Sequence, residues 1–517
     1  MSSSTTATRA VDHLVVGAGF AGLCAAIKLD EGGERDFVVI EKGSDVGGTW
    51  RDNTYPGAAC DVPSQLYSYS FAPNPDWTMS FSPQPEIHAY LRAVAERSGT
   101  LDRFVFDTAV TDMTWDVDAQ RWTVTTTGGS WSARTLVVGS GGLSEPRLPE
   151  IEGIEGFTGR LFHSAAWDHD TALAGQRVAV IGTGASAIQI IPEVQALAGH
   201  LDVYQRTAPW VMPRHDRTYG RLERAALRHL PGLQKAYRTA IYWGRETYVP
   251  PFTRTPAALA PVQRLALSNL EKAIADPGLR AALTPDFRMG CKRILISNRY
   301  YPALAADNTE LVTDPIARID GNRVVTADGT ERAVDVLVVA TGFFTTELPI
   351  AELVTGRTGR TLAERFAESG MAAFKGTAVP EFPNLFFIVG PNTGLGHSSM
   401  VFMIESQVAY IRDAVRTMRT HGYAAVEVRE HVAAAYNADL QGRMKRTVWS
   451  TGGCSSWYLD KHGNNTTLWP RSTFGFRRLL ASFDVASYHV SAAADPTDLS
   501  HPSNTPQTST RRKDVSA

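Results

Sequence analysis

The chain has 517 residues, 43% of them hydrophobic and 20% charged, with a formal net charge of −2. This is an ordinary globular composition with room for about two to four domains, and it excludes a basic whole-chain field that would draw the protein to nucleic acid or an anionic membrane. Cys24, Cys60, Cys291 and Cys454 lie far apart with no C-x-x-C pair, so neither a disulfide framework nor a zinc site is expected, and a reducing, cytoplasmic setting fits. Residues 1–10 lack an apolar run and read as a flexible N-terminus rather than a secretory signal. No window approaches the roughly 18 uncharged apolar residues of a membrane span.

The first strong element is HLVVGAGFAGLCAAIKL, a β-branched run, a glycine turn and apolar residues at helical spacing. Gly17, Gly19 and Gly22 complete a G-x-G-x-x-G, which permits a tight turn, a close pyrophosphate and close helix packing. The helix N-terminus then offers unpaired N–H groups to phosphate. A second strand, FVVIEK, ends in Glu41, where a carboxylate accepts from an adenosine ribose and repels a 2′-phosphate. GGTWRDNTYPGAACDVPS follows as a long positioned loop with Trp50, Tyr55 and Asp61, and a buried Asp61 would need a partner. RWTVTTTGGSWSARTLVVGSGG reads as a hairpin and a buried strand.

After the segment FTGRLFHSAAWD comes a second strand–turn–helix, RVAVIGTGASAIQIIPEV, too far beyond the first to share one mononucleotide-binding unit with it. Gly182 and Gly184 are kept and Ala187 takes the third place, as the fingerprint allows. Arg206 stands at the same offset from Gly182 that Glu41 has from Gly17, and a guanidinium there favours a 2′-phosphate. One turn is therefore expected to hold FAD and the other NADPH. Helical, Arg- and Ala-rich residues follow from about 214, and GNRVVTADGTERAVDVLVVATGFF then repeats the hairpin-and-strand pattern.

The fold expected is α/β, with two Rossmann-like dinucleotide-binding domains and a small helical insertion. The FAD unit spans 11–145 and 346–490, a linker 146–170, the NADP unit 171–213 and 285–345, the insertion 214–284, and a disordered tail 491–517.

Two motifs carry a resemblance. Phe157, Gly159, His163, Trp167 and Asp168 fit F-x-G-x-x-x-H-x-x-x-W-[P/D], and the loop from Gly47 to Asp61 fits [A/G]-G-x-W-x-x-x-x-[F/Y]-P-[G/M]-x-x-x-D. Both are fingerprints of the Baeyer–Villiger monooxygenases, which the chain resembles over about residues 11–480. No redox cysteine pair points to a disulfide reductase. The resemblance implies an NADPH-dependent flavoprotein that turns ketones into esters or lactones, with O₂ as cosubstrate, through a C4a-peroxyflavin and a tetrahedral adduct. Sulfide oxidation is an expected side activity; a sulfur or nitrogen monooxygenase and an uncoupled NADPH oxidase are the alternatives. A small ketone is the expected partner, with no nucleic acid, no metal and a monomer or weak homo-oligomer.

The resemblance also assigns residues. His163 and Trp167 become a hinge and clamp between the domains rather than an acid–base pair, with Gly159 supplying backbone freedom. Lys292 contacts the 2′-phosphate and Arg293 reaches the flavin face, with Asp61 orienting it. The cofactor set around the first turn is Gly17, Gly19, Phe20, Gly22, Glu41 and Lys42. Gly48, Thr49, Trp50, Tyr55, Asp61, Val62 and Tyr67 extend it through the loop. The second turn contributes Gly182, Thr183, Gly184, Ser186 and Ala187 with Arg206 and Thr207, and the later chain Lys292, Thr341, Gly342, Asn392 and Trp457. The segment after Gly390-Pro391-Asn392 resembles a flavin cover, with Ser398 or Ser399 as helix N-cap and His397 in its loop.

Overall fold

The computed structural model describes residues 8–492. Two sheets organise them. The larger has eight strands, in the order 354–355, 110–116, 121–126, 129–138, 9–16, 37–40, 104–105, with 385–387 also paired to 129–138. Its centre is parallel: Arg9–Val16 lies between Phe37–Ile40 and Gly129–Val138. The last of these is shared along its other edge. Its start closes a hairpin with Arg121–Thr126, and its end runs parallel to Leu385–Phe387.

The smaller sheet has five strands, all parallel, in the order 309–312, 200–204, 177–181, 336–339, 160–163. Phe37–Ile40 and Val336–Val339 are buried at every position, as expected where helices cover both faces of a parallel sheet. Each such side chain contributes about 1.5–3 kcal/mol by leaving water.

The units are joined by two chain crossings that lie side by side. Pro146 bridges Phe343, the Arg147 amide donates to the Gly342 carbonyl, and Thr341 Oγ1 donates to the Arg147 carbonyl at 2.6 Å. The expected linker is only partly a connector, because Arg160–His163 is the edge strand of the smaller sheet, paired with Val336–Val339. Its register is set by residues far along the chain, which is why so short a run of local sequence does not disclose it.

The insertion holds helices Arg221–His229, Leu233–Glu246, Val249–Thr253, Ala260–Ala273 and Pro277–Ala282. Its two ends are tied by parallel pairing of Val211–Met212 with Leu295–Ile296. Phe252 and Leu259 bury themselves in the core of the larger unit, so the insertion closes over that unit. A 22-residue helix, Met400–His421, packs along Phe20–Glu31.

Three expectations need correction. The first strand already begins at Arg9, inside the N-terminus expected to be flexible. Residues 491–492 end a strand, Tyr488–Ala492, paired with Tyr423–Val428 rather than opening the tail; the rest of the expected tail lies outside the described residues. Finally, Cys291 and Cys454 form a disulfide across a sequence separation of 163. Sequence distance hid their proximity; Cys24 and Cys60 remain free and buried. Among the described residues no helix is long and apolar enough to cross a membrane.

Candidate active site

Both glycine turns follow one plan. Gly17 and Gly182 have φ of +96° and +116°, and a Cβ on either would stand 2.8 or 2.5 Å from a carbonyl oxygen, of Gly139 or Ala340. Only glycine fits there. At Gly22 a Cβ would lie 1.7 Å from the Gly17 carbonyl oxygen, so the helix sits directly against its turn; Ala187, fully buried, occupies the equivalent place in the second turn. Neither following helix, Phe20–Glu31 or Ala187–Gln195, has a side-chain cap, Ser186 included. Their first amides are open to an anion, which is the test a pyrophosphate must pass. At Gly19 and Gly184 no protein atom comes closer than 3.7 Å to an added Cβ.

The acidic and basic partners differ sharply. Glu41 is buried and accepts from the Ala18 amide at 2.7 Å, the Gly43 amide at 2.8 Å and Arg51 Nη1 at 2.9 Å. With about four acceptor directions on a carboxylate, one is left for a ribose hydroxyl. Arg206 is exposed, and Thr207 accepts from Thr183 Oγ1 beneath it. Burial lowers the Lys292 ammonium pKa, and Arg206 lowers it further against the pull of Asp286. Two cations that repel one another are suited to sharing a phosphate. Lys42 is instead paired with Glu145 on the surface.

The loop after Gly48 is anchored from both domains. Thr49–Asp52 forms a short helix, and Trp50 Nε1 donates to Tyr67 Oη at 2.9 Å while the Tyr67 ring meets Phe20 edge-on. Tyr55 donates to Gln189 Oε1 at 3.1 Å, and Gln189 Nε2 donates to the Ala59 carbonyl at 2.9 Å. The loop is thereby fastened to the Ala187–Gln195 helix. Val62 is buried beyond it.

At the end of this loop Asp61 meets Arg293, across a sequence separation of 232. Arg293 Nε donates to Oδ2 and Nη2 to Oδ1, both at 2.7 Å, a bidentate fork. Burial alone would raise the Asp61 carboxyl, but the charge and hydrogen bonds of Arg293, aided by Arg245, hold it below the usual carboxylate range. Asp61 in turn holds the guanidinium above its ordinary value. The two side chains keep 27% and 31% of their surface, so the pair is reachable. Tyr458 is buried beside them and burial pushes its hydroxyl up to about 12.

The remaining candidates each make contacts within the protein. His163 is buried at the end of its edge strand, where Nδ1 accepts from the Ala165 amide at 3.0 Å and burial lowers its pKa. Trp167 packs edge-on against Phe162, and Asp168 accepts from Thr171 Oγ1 at 2.6 Å to form a turn. Phe157 packs beside the smaller sheet. Gly159 has no positive φ, and a Cβ there would strike the Asp335 carbonyl oxygen at 2.4 Å, so close packing is enough to require glycine. Asn392, at φ +57°, donates to the Asn465 and Leu468 carbonyls and pins that segment. Ser399 is the N-cap, accepting from the Val401 amide. His397 turns to buried Glu246 at 3.2 Å. Trp457 is 46% exposed and lies against Tyr458. Arg245, Glu246, Gln189 and Tyr458 escaped sequence reasoning, since each acts across a long-range contact and none stands in a patterned motif.

Residues 11–221 match the model of the family described as flavin-binding monooxygenase-like. A Baeyer-Villiger monooxygenase of Streptomyces coelicolor is 51% identical over 478 residues, 92% of each chain. Another, of Pseudomonas aeruginosa, is 47% identical over 92% of this chain and 90% of its own. Among solved structures, an oxidized steroid monooxygenase bound to NADP superposes with a TM-score of 0.81 at 32% identity, covering 94% of this chain and all of that one. A closed cyclohexanone monooxygenase gives 0.84 at 27% identity with the same coverage. Two uncapped glycine turns, a loop fastened to both units, a guanidinium–carboxylate fork between them and relatives alike over nearly the full length lead to one conclusion: the chain belongs to the Baeyer–Villiger monooxygenases.

Proposed function

We propose that the protein is an FAD- and NADPH-dependent monooxygenase that converts a ketone, O₂, NADPH and a proton into an ester or lactone, NADP⁺ and water, with Arg293 and Asp61 at its reaction centre. The observation that carries the reading is the bidentate Arg293–Asp61 fork, assembled from two distant segments at the junction of both units. FAD belongs on the first turn and NADPH on the second, where Arg206 and Lys292 would take the 2′-phosphate. The bound flavin, reduced by NADPH, supplies the activated oxygen.

The chain's own residues supply the electrostatics. Oxygen transfer to a carbonyl requires an anionic nucleophile and then an oxyanion at the former carbonyl oxygen. Arg293 stays charged throughout, because a guanidinium does not deprotonate near neutral pH and Asp61 raises its pKa further. Its donors are oriented in advance by the fork, which is where preorganised catalysis gains over water. A partly exposed ion pair contributes little to stability, so its chemical use is the better account of it.

The test is Arg293→Ala beside Arg293→Lys, both checked for bound FAD. NADPH should still bleach the flavin anaerobically, while ester formation falls by about 10²–10³, the usual cost of losing one oxyanion stabiliser. Ester formation within tenfold of the parent enzyme would refute the assignment.

A further inference from the structure

The Asp61–Arg293 fork is neutral as a pair, yet the chemistry proposed for it is anionic twice over. A carboxylate 2.7 Å from the guanidinium offsets much of the attraction that guanidinium offers a third group. The surroundings contain a charge that is not offset. The insertion helix Leu233–Glu246 ends at the centre, and Arg245 Nη2 donates to the main-chain carbonyl of Asp61 at 3.2 Å. Among the described residues Arg245 makes no ion pair, and this is one hydrogen bond from a group with five N–H donors. Burial lowers its pKa, Arg293 adds to that fall, and Asp61 and Tyr248 oppose it. An unpaired, half-buried cation is costly to keep, so a use for it is expected.

Its placement is fixed by the next residue. Glu246 is buried, accepts from Thr473 Oγ1 at 2.6 Å and the Thr473 amide at 3.1 Å, and faces His397 Nε2 at 3.2 Å. That carboxylate is thus committed to the flavin-cover segment and to Thr473, leaving Arg245 as the surplus charge. We infer that Arg245 is a positioning residue for the oxygen transfer: it holds the Asp61 main chain and, acting through the Asp61–Arg293 pair, gives the centre the net positive charge that an oxyanion needs. Three groups, two cationic and one anionic, sum to one positive charge where the fork alone sums to none.

This rests on the reading of Arg293 above, and the experiment separates the two. Arg245→Gln keeps a donor and removes the charge; Arg245→Lys keeps the charge. Redox titration of the holoenzyme against a reference dye reads the charge without turnover. At a fixed dye ratio Arg245→Gln should lower the reduced-to-oxidised flavin ratio about tenfold, a shift of about 30 mV for two electrons, with Arg245→Lys within threefold of the parent. In turnover, the ester-to-H₂O₂ ratio of Arg245→Gln should fall about tenfold at pH 7 and recover toward alkaline pH, while Arg245→Lys keeps the parent profile. If Arg245→Gln loses FAD, Arg245→Met takes its place with the same readouts. Parent-like ratios in the neutral variant, or equal losses in the lysine variant, overturn the inference. If Arg293→Ala still makes ester at the parent rate, the underlying reading falls first, whatever Arg245 does.

Discussion

The two glycine turns share geometry and differ in what faces them. At the first, Glu41 is buried and already held by two amides and Arg51; at the second, Arg206 is exposed and Lys292 is repelled by it. The first site is part of the folded core and suits a resident cofactor. The second presents two neighbouring cations, one of them exposed, and suits a nucleotide that arrives, reacts and departs. One scaffold thus presents, at a single offset, a charge already held by the protein in one turn and a charge left exposed in the other.

Glu41→Gln attacks the first half of this contrast and carries the largest expected effect. It removes a charge-assisted bond from Arg51, which keeps Asp52, and turns an NH₂ toward a backbone N–H donor. Each charge-assisted bond lost costs about 1.5–3 kcal/mol and a buried donor left unpaired about 1–3 kcal/mol more. Thermal unfolding and FAD content after gel filtration should both fall; a variant that keeps its FAD and melting temperature would erase the distinction. Next in size is Cys454→Ser. The bond to Cys291 fastens the segment just before Lys292 and Arg293 to the loop before Trp457, and removing such a closure costs about 2–4 kcal/mol. Unfolding in denaturant with and without dithiothreitol should show that loss in the parent and none in the serine variant. The smallest effect sharpens the second half. Arg206→Ala should raise KM for NADPH about ten- to a hundredfold, the worth of one charge-assisted contact of about 1.5–3 kcal/mol, leaving NADH and thermal stability nearly unchanged. An unaltered preference for NADPH would remove Arg206 from the site.

Legibility followed the range of the interactions. Gly17 and Gly182 were readable because their role is local: a turn that excludes a Cβ leaves its mark in a few letters. Glu41 and Arg206 stand out as candidates because a strand of ordinary length puts them at a constant offset. The Arg160–His163 strand was not, since its pairing partners, Val336–Val339, lie beyond the whole insertion. At Gly159 the close approach to Asp335 is a requirement that only packing reveals. The disulfide and Arg245 were hidden for the same reason. Their partners are set by how the insertion folds back, and an arginine in an arginine-rich helix has no local signal to separate it from its neighbours.

The edge strand also bears on how the two halves can swivel. His163 is stitched into the smaller sheet through Val339, so the stretch carrying it must travel with that half as cargo instead of bending between the two. The covalent connections between the halves are the twin crossings at Pro146–Arg147 and Thr341–Phe343, held to each other by few rungs. Because the fork takes Asp61 from one half and Arg293 from the other, any change in how the halves sit would be felt first at that pair.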